Sequence, residues 1–323
     1  MKFIRQYLTV ALIVAALVHG LDAFAADTYP SRPIKIFVGF AAGGPADAVA
    51  RLIGQKLQNQ MKQSVVVENK TGADGTVAIE ALIHSQPDGY TLLMTQNSIT
   101  MNPSLYKKVP FDPMTDVVPL AYIGDGTNFV AVTPSLPVKS LQELIDYGKR
   151  NPEQLNYAAT ASGNELASEL LAQMAGIKMT RVAYRGAAPA MPDLMSGQIQ
   201  VMVSNISTLL PYVKNGRMRV LAVTGLKRSK LAPEVPTVSE LGLTGYSATT
   251  WYGMLAPKGT PEPIVERLHQ EINAALRTPE VEAKMTNLAV DLAVQSRKDF
   301  NDFLREDQEK WKKVVTSMGG PRE

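Results

Sequence analysis

The feature that most constrains the fold of this chain is its alternation of short apolar runs with helix-like segments. The run "IKIFVGF" precedes a helix pattern that begins near Pro45, and "SVVVEN" precedes a second one that begins near Thr76. The turn "QPDGY" then leads into a third apolar run, "TLLM". This order predicts βαβ units, and therefore a parallel sheet with helices on its faces.

The same alternation resumes in the middle of the chain. A Pro-rich stretch from Asn102 to Pro119 is predicted to be irregular, and the series restarts at Phe129–Thr133. A Pro/Gly-rich segment from Lys227 to Tyr246 precedes "TTWYGMLAPKGTP", which we expect to return the chain to the first lobe. Three final helices are predicted, at Pro263–Leu276, Glu280–Leu288 and Lys298–Met318. Two α/β lobes joined by two crossings describe a hinged clamshell.

The length of the chain agrees with a two-lobed organisation. With 323 residues it is too long for one ordinary core and suits two. We predict a targeting segment at 1–25, the first part of lobe 1 at 26–128 and lobe 2 at 129–249. The return segment and the last helices of lobe 1 are predicted at 250–323.

The amino terminus has the form of a secretory signal peptide. Lys2 and Arg5 precede the apolar run Leu8–Val18, and "AFA" before Ala26 fits a cleavage site. The run is shorter than the about 20 residues that a membrane span needs. We therefore expect an exported protein cleaved near Ala25; an uncleaved interfacial anchor is the alternative.

Composition excludes several classes of function. The net charge is only +3 and no Lys/Arg run occurs, so neither nucleic acid nor anionic lipid is an expected partner. Cysteine is absent, and of the three histidines His19 lies in the targeting segment. His84 and His269 each stand alone, so we expect no metal site, no His-based triad and no cofactor.

The Gly-rich stretch "GFAAGGPADAVARL" joins the first predicted strand to the first helix. Pro45 and Ala46 stand where a nucleotide-binding loop needs Lys and Ser/Thr, which excludes that function. Gly43 and Gly44 instead allow a ligand carboxylate to approach the amides at the helix start. The alternative is a plain tight turn, in which Asp47 favours the helix dipole and pairs with a neighbouring Arg.

The stretch "TASGNELASELL" offers a similar helix start in the second lobe. Ser162 and Glu165 have the S-x-x-E spacing of a capping box, so Ser162 either only caps the helix or also faces a ligand. A helix dipole contributes about 0.3–1 kcal/mol to an anion, whereas micromolar affinity needs about 8 kcal/mol. Further hydrogen bonds are therefore required, and the candidates are Asn97, Ser98, Thr160, Ser204 and Asn205.

Several segments, taken in order, resemble the tripartite tricarboxylate transporter solute receptors, also called Bug-type proteins. They include "GFAAGGPADAVAR", "VVVENKTGADGTVA", "PDGYTLL", "VPFDPMTDVVPLAYIG", "VAYRGAAPAMPDLMSGQIQVMVSN", "GRMRVLAVTG", "VPTVSELG" and "YGMLAPKGTPEPIVERL". The resemblance implies a type II periplasmic binding protein, a Venus-flytrap clamshell of two mainly parallel sheets flanked by helices. It also implies delivery of the ligand to a large and a small membrane subunit, and we expect a monomer that is not an enzyme.

In this family the first strand–helix loop and a loop of the second lobe hold a carboxylate through backbone amides and ordered waters. By resemblance these are the loop from Phe40 to Asp47 and the loop around Thr160 and Ser162. The predicted ligand-binding residues are Phe40, Ala42, Gly43, Gly44, Asp47, Asn97, Ser98, Thr160, Ser162, Asn164, Tyr184, Ser204 and Asn205.

The chain departs from the family pattern at two places. Ala46 stands where Thr is frequent, and Val203-Ser204 stands where Phe-Asp is frequent. Loss of an acid at Ser204 favours purely acidic or uncharged ligand groups over amines. Tyr184, Trp251 and Tyr252 either line an aromatic pocket or pack in the core.

The leading hypothesis is a periplasmic receptor for a small organic acid, a di- or tricarboxylate or an aromatic carboxylate. An exported hydrolase would need a nucleophile–base pair, for which the chain offers neither Cys nor a G-x-S-x-G elbow. A third hypothesis is a ligand-loaded partner of a sensor protein, which the sequence does not separate from the first.

Overall fold

The computed structural model describes residues 29–322. The predicted signal peptide and its cleavage near Ala25 lie outside these residues and stay predictions. The strands are β1 (Ile34–Val38), β2 (Val65–Asn69), β3 (Thr91–Gln96), β4 (Val117–Gly126), β5 (Asn128–Val132), β6 (Asn156–Ala159), β7 (Thr180–Ala183), β8 (Val201–Asn205), β9 (Arg219–Val223), β10 (Thr250–Pro257) and β11 (Val290–Leu292).

The helices cover the faces of the two sheets that these strands form. They are α1 (Pro45–Met61), α2 (Thr76–Ile83), α3 (Ser98–Leu105), α4 (Leu141–Arg150), α5 (Ser162–Ala175), α6 (Ala187–Ser196), α7 (Ile206–Lys214), α8 (Glu262–Leu276), α9 (Pro279–Asn287) and α10 (Arg297–Ser317). A short 3₁₀ turn, Ala73–Gly75, precedes α2.

The first sheet has the strand order β11-β4-β10-β3-β1-β2, and the second has the order β7-β6-β8-β5-β9. In the first sheet β1 runs parallel to β2 and β3, while β10 runs antiparallel to β3 and β4. In the second, β6 runs parallel to β7 and β8, while β5 runs antiparallel to β8 and β9. The two-lobed α/β fold is thus confirmed, but both sheets are mixed rather than mainly parallel. The strands next to the crossings, β4, β5 and β10, supply the antiparallel pairs.

Side chains alternate between the two buried faces of the first sheet. On β1, Ile36 and Val38 point into a core shared with α1 and α8, whereas Phe37 points into a second core shared with α2 and α10. Strands buried on both faces read as continuous apolar runs, which is why "IKIFV" shows little polar alternation.

The chain passes between the two sheets at two places. Thr127 alone separates β4 from β5, and the return runs from the end of β9 at Val223 to the start of β10 at Thr250. Helix α10 then packs against α3 and also against α5, so it contacts elements beside both sheets. The division into lobes at residues 129 and 250 stays a prediction.

The prediction of an irregular stretch from Asn102 to Pro119 is wrong at both ends. Helix α3 continues to Leu105 with Pro103 inside it, and β4 already begins at Val117 and includes Pro119. The strand accommodates Pro119 because the pairing with β10 is irregular next to it, between Met254 and Leu255. Within residues 29–322, no helix has the length and apolar character needed to cross a membrane.

Candidate ligand-binding site

A cleft of about 960 Å³ opens between the two sheets. Its walls include the segments that follow β1, β2, β6 and β8, which all leave the carboxyl ends of parallel strands. In open α/β sheets this edge is where ligands bind. The cleft therefore lies where the topology places a binding site.

A second depression, of about 410 Å³, lies on the second lobe between α5, β7 and the end of α10. It includes Glu169, which accepts a hydrogen bond from Tyr157 and whose pKa is raised by burial. This depression is not formed by strand ends of the two lobes. The interlobe cleft is the stronger candidate.

Asp47 shapes the loop after β1 instead of facing the cleft. Its Oδ2 accepts hydrogen bonds from Gly43 N and Arg51 Nε, each at 2.9 Å, and its Oδ1 accepts one from Asn69 Nδ2 at 2.9 Å. Burial acts to raise the pKa of Asp47, but the hydrogen bonds from Arg51, Gly43 and Asn69 outweigh it and lower the pKa. Asp47 therefore holds the loop as in the structural alternative, and its contact with a ligand stays a prediction.

The amides of Gly43 and Gly44 are also used within this loop. Gly43 N donates to Asp47, and Gly44 N donates to the carbonyl oxygen of Ala41 at 3.2 Å. Ala42 lies exposed on the outside of the turn. Gly39, Phe40, Ala41 and Pro45 form this part of the wall instead.

Two glycine-containing loops of the first lobe pack closely at the base of the cleft. A Cβ added to Gly39 would lie 2.6 Å from the Cα of Gly75, so a side chain at Gly39 would displace backbone. Gly75 has a φ of +87° and packs beside Phe40 and Ser98. The approach fixes the loop after β1 against the turn before α2.

Ser162 does not cap α5 as predicted. The N-cap is Ala161, and neither Ala161 nor Ser162 caps this end with its side chain. Glu165 does not reach back to the helix start, because its Oε1 pairs with Arg181 Nε at 3.0 Å and with Arg322. Ser162 lines the cleft, is only 4% exposed, and its Oγ makes no hydrogen bond with any described residue.

Asn205 presents a second buried polar group to the cleft. It caps α7, because its Oδ1 accepts hydrogen bonds from Ser207 N at 2.9 Å and from Ser207 Oγ at 2.6 Å. Its Nδ2 has no partner among the described residues, although Asn205 is only 9% exposed. Asn128, which the sequence did not single out, also lines the cleft and has an unpaired Oδ1.

Asn97 and Ser98 lie behind the cleft wall. Asn97 Nδ2 donates to the carbonyl oxygen of Thr249 at 3.3 Å, next to the start of β10, and packs against Gly163 of α5. Ser98 is buried next to Gly75. Neither residue lines the cleft, and their contact with a ligand stays a prediction.

Tyr184 and Tyr252 line the cleft, whereas Trp251 is buried in the core. The Tyr184 hydroxyl donates to Asp193 Oδ2 at 2.6 Å, and burial together with this contact raises its pKa to about 12. With the hydroxyl engaged, what Tyr184 offers a ligand is its ring.

The structure brings part of the predicted set together on the cleft wall. These residues are Phe40, Thr160, Ser162, Asn164, Tyr184, Ser204 and Asn205. The remaining predicted residues do not line the cleft: Ala42, Gly43, Gly44, Asp47, Asn97 and Ser98. A role in binding stays a prediction for both groups.

The sequence analysis missed the charged residues of the cleft, which are Asp74, Glu165, Arg181 and Arg185. Asp74 follows β2, and Arg181 and Arg185 lie in and just after β7, so their positions at strand ends were the available signal. Within residues 29–322 no group of three or more His, Cys, Asp or Glu side chains could hold a metal ion.

Two mixed α/β sheets that enclose a cleft at their strand ends define a two-lobed solute-binding protein. The model of the tripartite tricarboxylate transporter family receptors matches residues 49–319. The chain belongs to this family of receptors.

Solved structures agree with this assignment. R. palustris Rpa4515 with adipate is 32% identical, with a TM-score of 0.83 over 91% of this chain and 99% of that one. The periplasmic binding protein BugD is 31% identical, with a TM-score of 0.80 over 91% of this chain and 100% of that one. MatC from Rhodopseudomonas palustris with bound malate is 29% identical, with a TM-score of 0.77 over 88% and 99%. The family is one of transporter receptors, and BugD is described as a periplasmic binding protein.

Proposed function

We propose that this receptor captures a small organic acid in the interlobe cleft and delivers it to the large and small membrane subunits of a tripartite transporter. The ligand class is a di- or tricarboxylate or an aromatic carboxylate. Export through a signal peptide cleaved near Ala25 is part of the same proposal. The family assignment and the adipate and malate bound by two structural neighbours support it.

The observation that carries the proposal is a pair of buried hydrogen-bond donors on the cleft wall. Ser162 Oγ and Asn205 Nδ2 have no partner among the described residues. Because buried polar groups in proteins are nearly always hydrogen-bonded, such exceptions require an explanation. A ligand carboxylate accepts hydrogen bonds from both a hydroxyl and an amide, and no proton has to be removed from either donor.

Other parts of the wall suit an acid with an apolar or aromatic body. Phe40, Tyr184 and Tyr252 supply rings, and Arg185 supplies a positive charge. The Arg185 side chain forms no ion pair or hydrogen bond with another described residue. The sequence offered no rule that selected an Arg or Lys for the site.

A thermal-shift screen of the mature protein tests the ligand class. Aliphatic and aromatic mono-, di- and tricarboxylates are compared with neutral sugars and with amines. A ligand at about 100 times its Kd stabilises the folded state by about 2.7 kcal/mol, so at least one acid should raise the melting temperature. If sugars or amines raise it and no acid does, the proposed ligand class is wrong.

A deletion strain separates transport from sensing. Loss of uptake of the identified acid supports delivery to a transporter. Normal uptake combined with loss of the transcriptional response to that acid would favour a sensor partner instead.

A further inference from the structure

We propose that Asp74 determines the specificity of the cleft. It holds the amino-terminal end of α5, so the receptor prefers a ligand with one carboxylate and an uncharged or hydrogen-donating second end over a dicarboxylate. This inference rests on the proposed function, and it narrows the proposed organic acids to those with a single carboxylate, such as an aromatic monocarboxylate, at the expense of di- and tricarboxylates.

Asp74 reaches from the first lobe to the second. Its Oδ2 accepts a hydrogen bond from Ser162 N, at the first residue of α5, at 2.9 Å. The start of a helix is where its backbone N–H groups favour a negative charge. In this receptor a carboxylate of the chain itself takes that place.

The conformation of Asp74 is held by its surroundings. Its φ of +50° and ψ of +48° are left-handed, and its carbonyl oxygen accepts a hydrogen bond from Asn102 Nδ2 at 3.3 Å. Asn102 Nδ2 also lies 3.3 Å from Thr76 Oγ1, so α3 supports the turn from behind. The carboxylate is therefore held on the cleft wall at the start of α5.

The cleft wall carries charged side chains of both signs. Glu165 is neutralised by Arg181 and Arg322. The charges of Asp74 and Arg185 then remain on the cleft wall. Asp74 follows β2 of the first lobe, and Arg185 follows β7 of the second. A ligand carboxylate is attracted to Arg185 and can accept from Asn205 Nδ2, whereas a second carboxylate beside Asp74 meets a like charge.

Burial and the groups of Ser162 act in opposite directions on the pKa of Asp74. Burial raises its pKa and the nearby Glu165 adds to this rise, whereas the neighbouring hydroxyl of Ser162 and the hydrogen bond from Ser162 N partly counter it. A second anion beside this carboxyl would raise its pKa further, so a bound dicarboxylate would have either to overcome the repulsion or to bring a proton with it. An amide or an ammonium group would instead donate a hydrogen bond to it.

The test is calorimetric titration with matched ligands at neutral pH. Four-carbon and six-carbon sets are used, each consisting of the diacid, its monoamide and the corresponding ω-amino acid. We expect the wild-type protein to bind the monoamide or the ω-amino acid at least about tenfold more tightly than the diacid of equal length, because like charges brought together oppose binding.

Asp74→Asn should remove this discrimination. The diacid should come within about threefold of the monoamide, since the like charge that opposed it is gone. Asn is suitable because it tolerates left-handed backbone well. Asp74→Ser provides a second variant without the charge. The matched control is Asp88→Asn, which changes an acid of the same lobe that pairs with Arg32. This control should leave the order of ligand affinities unchanged.

The outcomes separate the two proposals. Tighter binding of the diacid by the wild-type protein, or an unchanged ratio in Asp74→Asn, overturns the role of Asp74 while the receptor function stands. If no carboxylate binds the wild-type protein or either variant, the proposed function fails and the inference fails with it.

Discussion

At the scale of single residues, the hydroxyl of Ser162 on the cleft wall is a proposed contact of the ligand. Its backbone N–H is taken by Asp74, and its Oγ has no partner among the described residues. The hydroxyl does not cap α5, so folding does not depend on it in the way that the S-x-x-E pattern implied. We therefore expect the Ser162 hydroxyl to take part in ligand recognition.

Ser162→Ala should therefore weaken ligand binding without unfolding the protein. Loss of one hydrogen bond to a charged ligand group corresponds to about 1.5–3 kcal/mol, or about a tenfold or greater rise in Kd. Ser168→Ala is the matched control on the same helix, because Ser168 Oγ donates to Asn164 O at 2.9 Å and does not line the cleft. Calorimetry and thermal melting check both variants. Equal effects of the two substitutions on Kd would contradict the assignment.

Asp47 should contribute stability that depends on pH. Asp47→Asn should lower the free energy of unfolding at neutral pH, because it weakens the hydrogen bonds to this carboxylate. The loss should be only about 1 kcal/mol, since Arg51 is half-exposed and solvent screens its pairing with Asp47. The folded-state pKa of Asp47 is lowered, so its stabilisation is complete above the ordinary Asp pKa and is lost as the pH falls through the folded value.

Urea unfolding of the wild-type protein and Asp47→Asn across an acidic pH series measures this effect. The difference in unfolding free energy should shrink as the pH falls below the ordinary range of an Asp. A difference that stays constant with pH would show that the charge of Asp47 is not the source of the stabilisation.

Residue patterns predicted the contacts of the site less well than the fold, because each polar side chain has several possible hydrogen-bond and ion-pair partners. The S-x-x-E spacing at Ser162 fails because Arg181 and Arg322 draw Glu165 away from the helix start. The same spacing at Ser140 does cap a helix, where Ser140 Oγ accepts from Glu143 N at 3.2 Å. Arg322 is 157 positions from Glu165 in the chain, so no local pattern contains it.

At the scale of elements, α10 connects the return strand β10 to α3 through hydrogen bonds. Asp307 on α10 accepts hydrogen bonds from Thr100 Oγ1 of α3 at 2.6 Å, from Trp251 Nε1 of β10 at 2.9 Å, and from Trp311 Nε1 at 2.8 Å. Burial raises the pKa of Asp307, and these donors and the nearby Lys310 act against the rise. One carboxylate thus joins three elements in the core.

Asp307→Asn should destabilise the protein. An amide has one acceptor oxygen where the carboxylate has two, so at least one buried N–H or O–H donor is left unpaired, at a cost of about 1–3 kcal/mol. Asp302→Asn, an exposed change on the same helix that removes only the pair with Lys298, should leave the stability nearly unchanged. Chemical unfolding measures both. Equal or greater stability of Asp307→Asn would mean that the burial of the charge outweighs its hydrogen bonds.

Elements with strong periodicity were predictable, and those that depend on distant partners were not. The prediction for α1 is confirmed, and its apolar positions Val49, Leu52, Ile53 and Leu57 are all buried. Strand β4 was missed because Pro119 reads as a strand breaker and is tolerated only beside an irregularity in the pairing with β10. The antiparallel position of β10 depends on the return crossing, which local patterns do not encode.

At the scale of the whole molecule, direct contacts join the two lobes at the start of α5. Asp74 bonds Ser162, and Asn97 packs against Gly163, so the start of α5 meets two segments of the first lobe. The two-lobed fold followed from the alternation of strands and helices together with the length of the chain. The charged residues of the cleft did not follow, because Asp74 and Arg185 come to line one cleft only after folding.

A crystal structure of the receptor grown with the acid that most raises its melting temperature tests the binding site most directly. We predict that a carboxylate of the ligand lies in the interlobe cleft, within hydrogen-bond distance of Ser162 Oγ or Asn205 Nδ2. A ligand found in the depression beside Glu169, or in the cleft but without contact to either group, would contradict this assignment of the site.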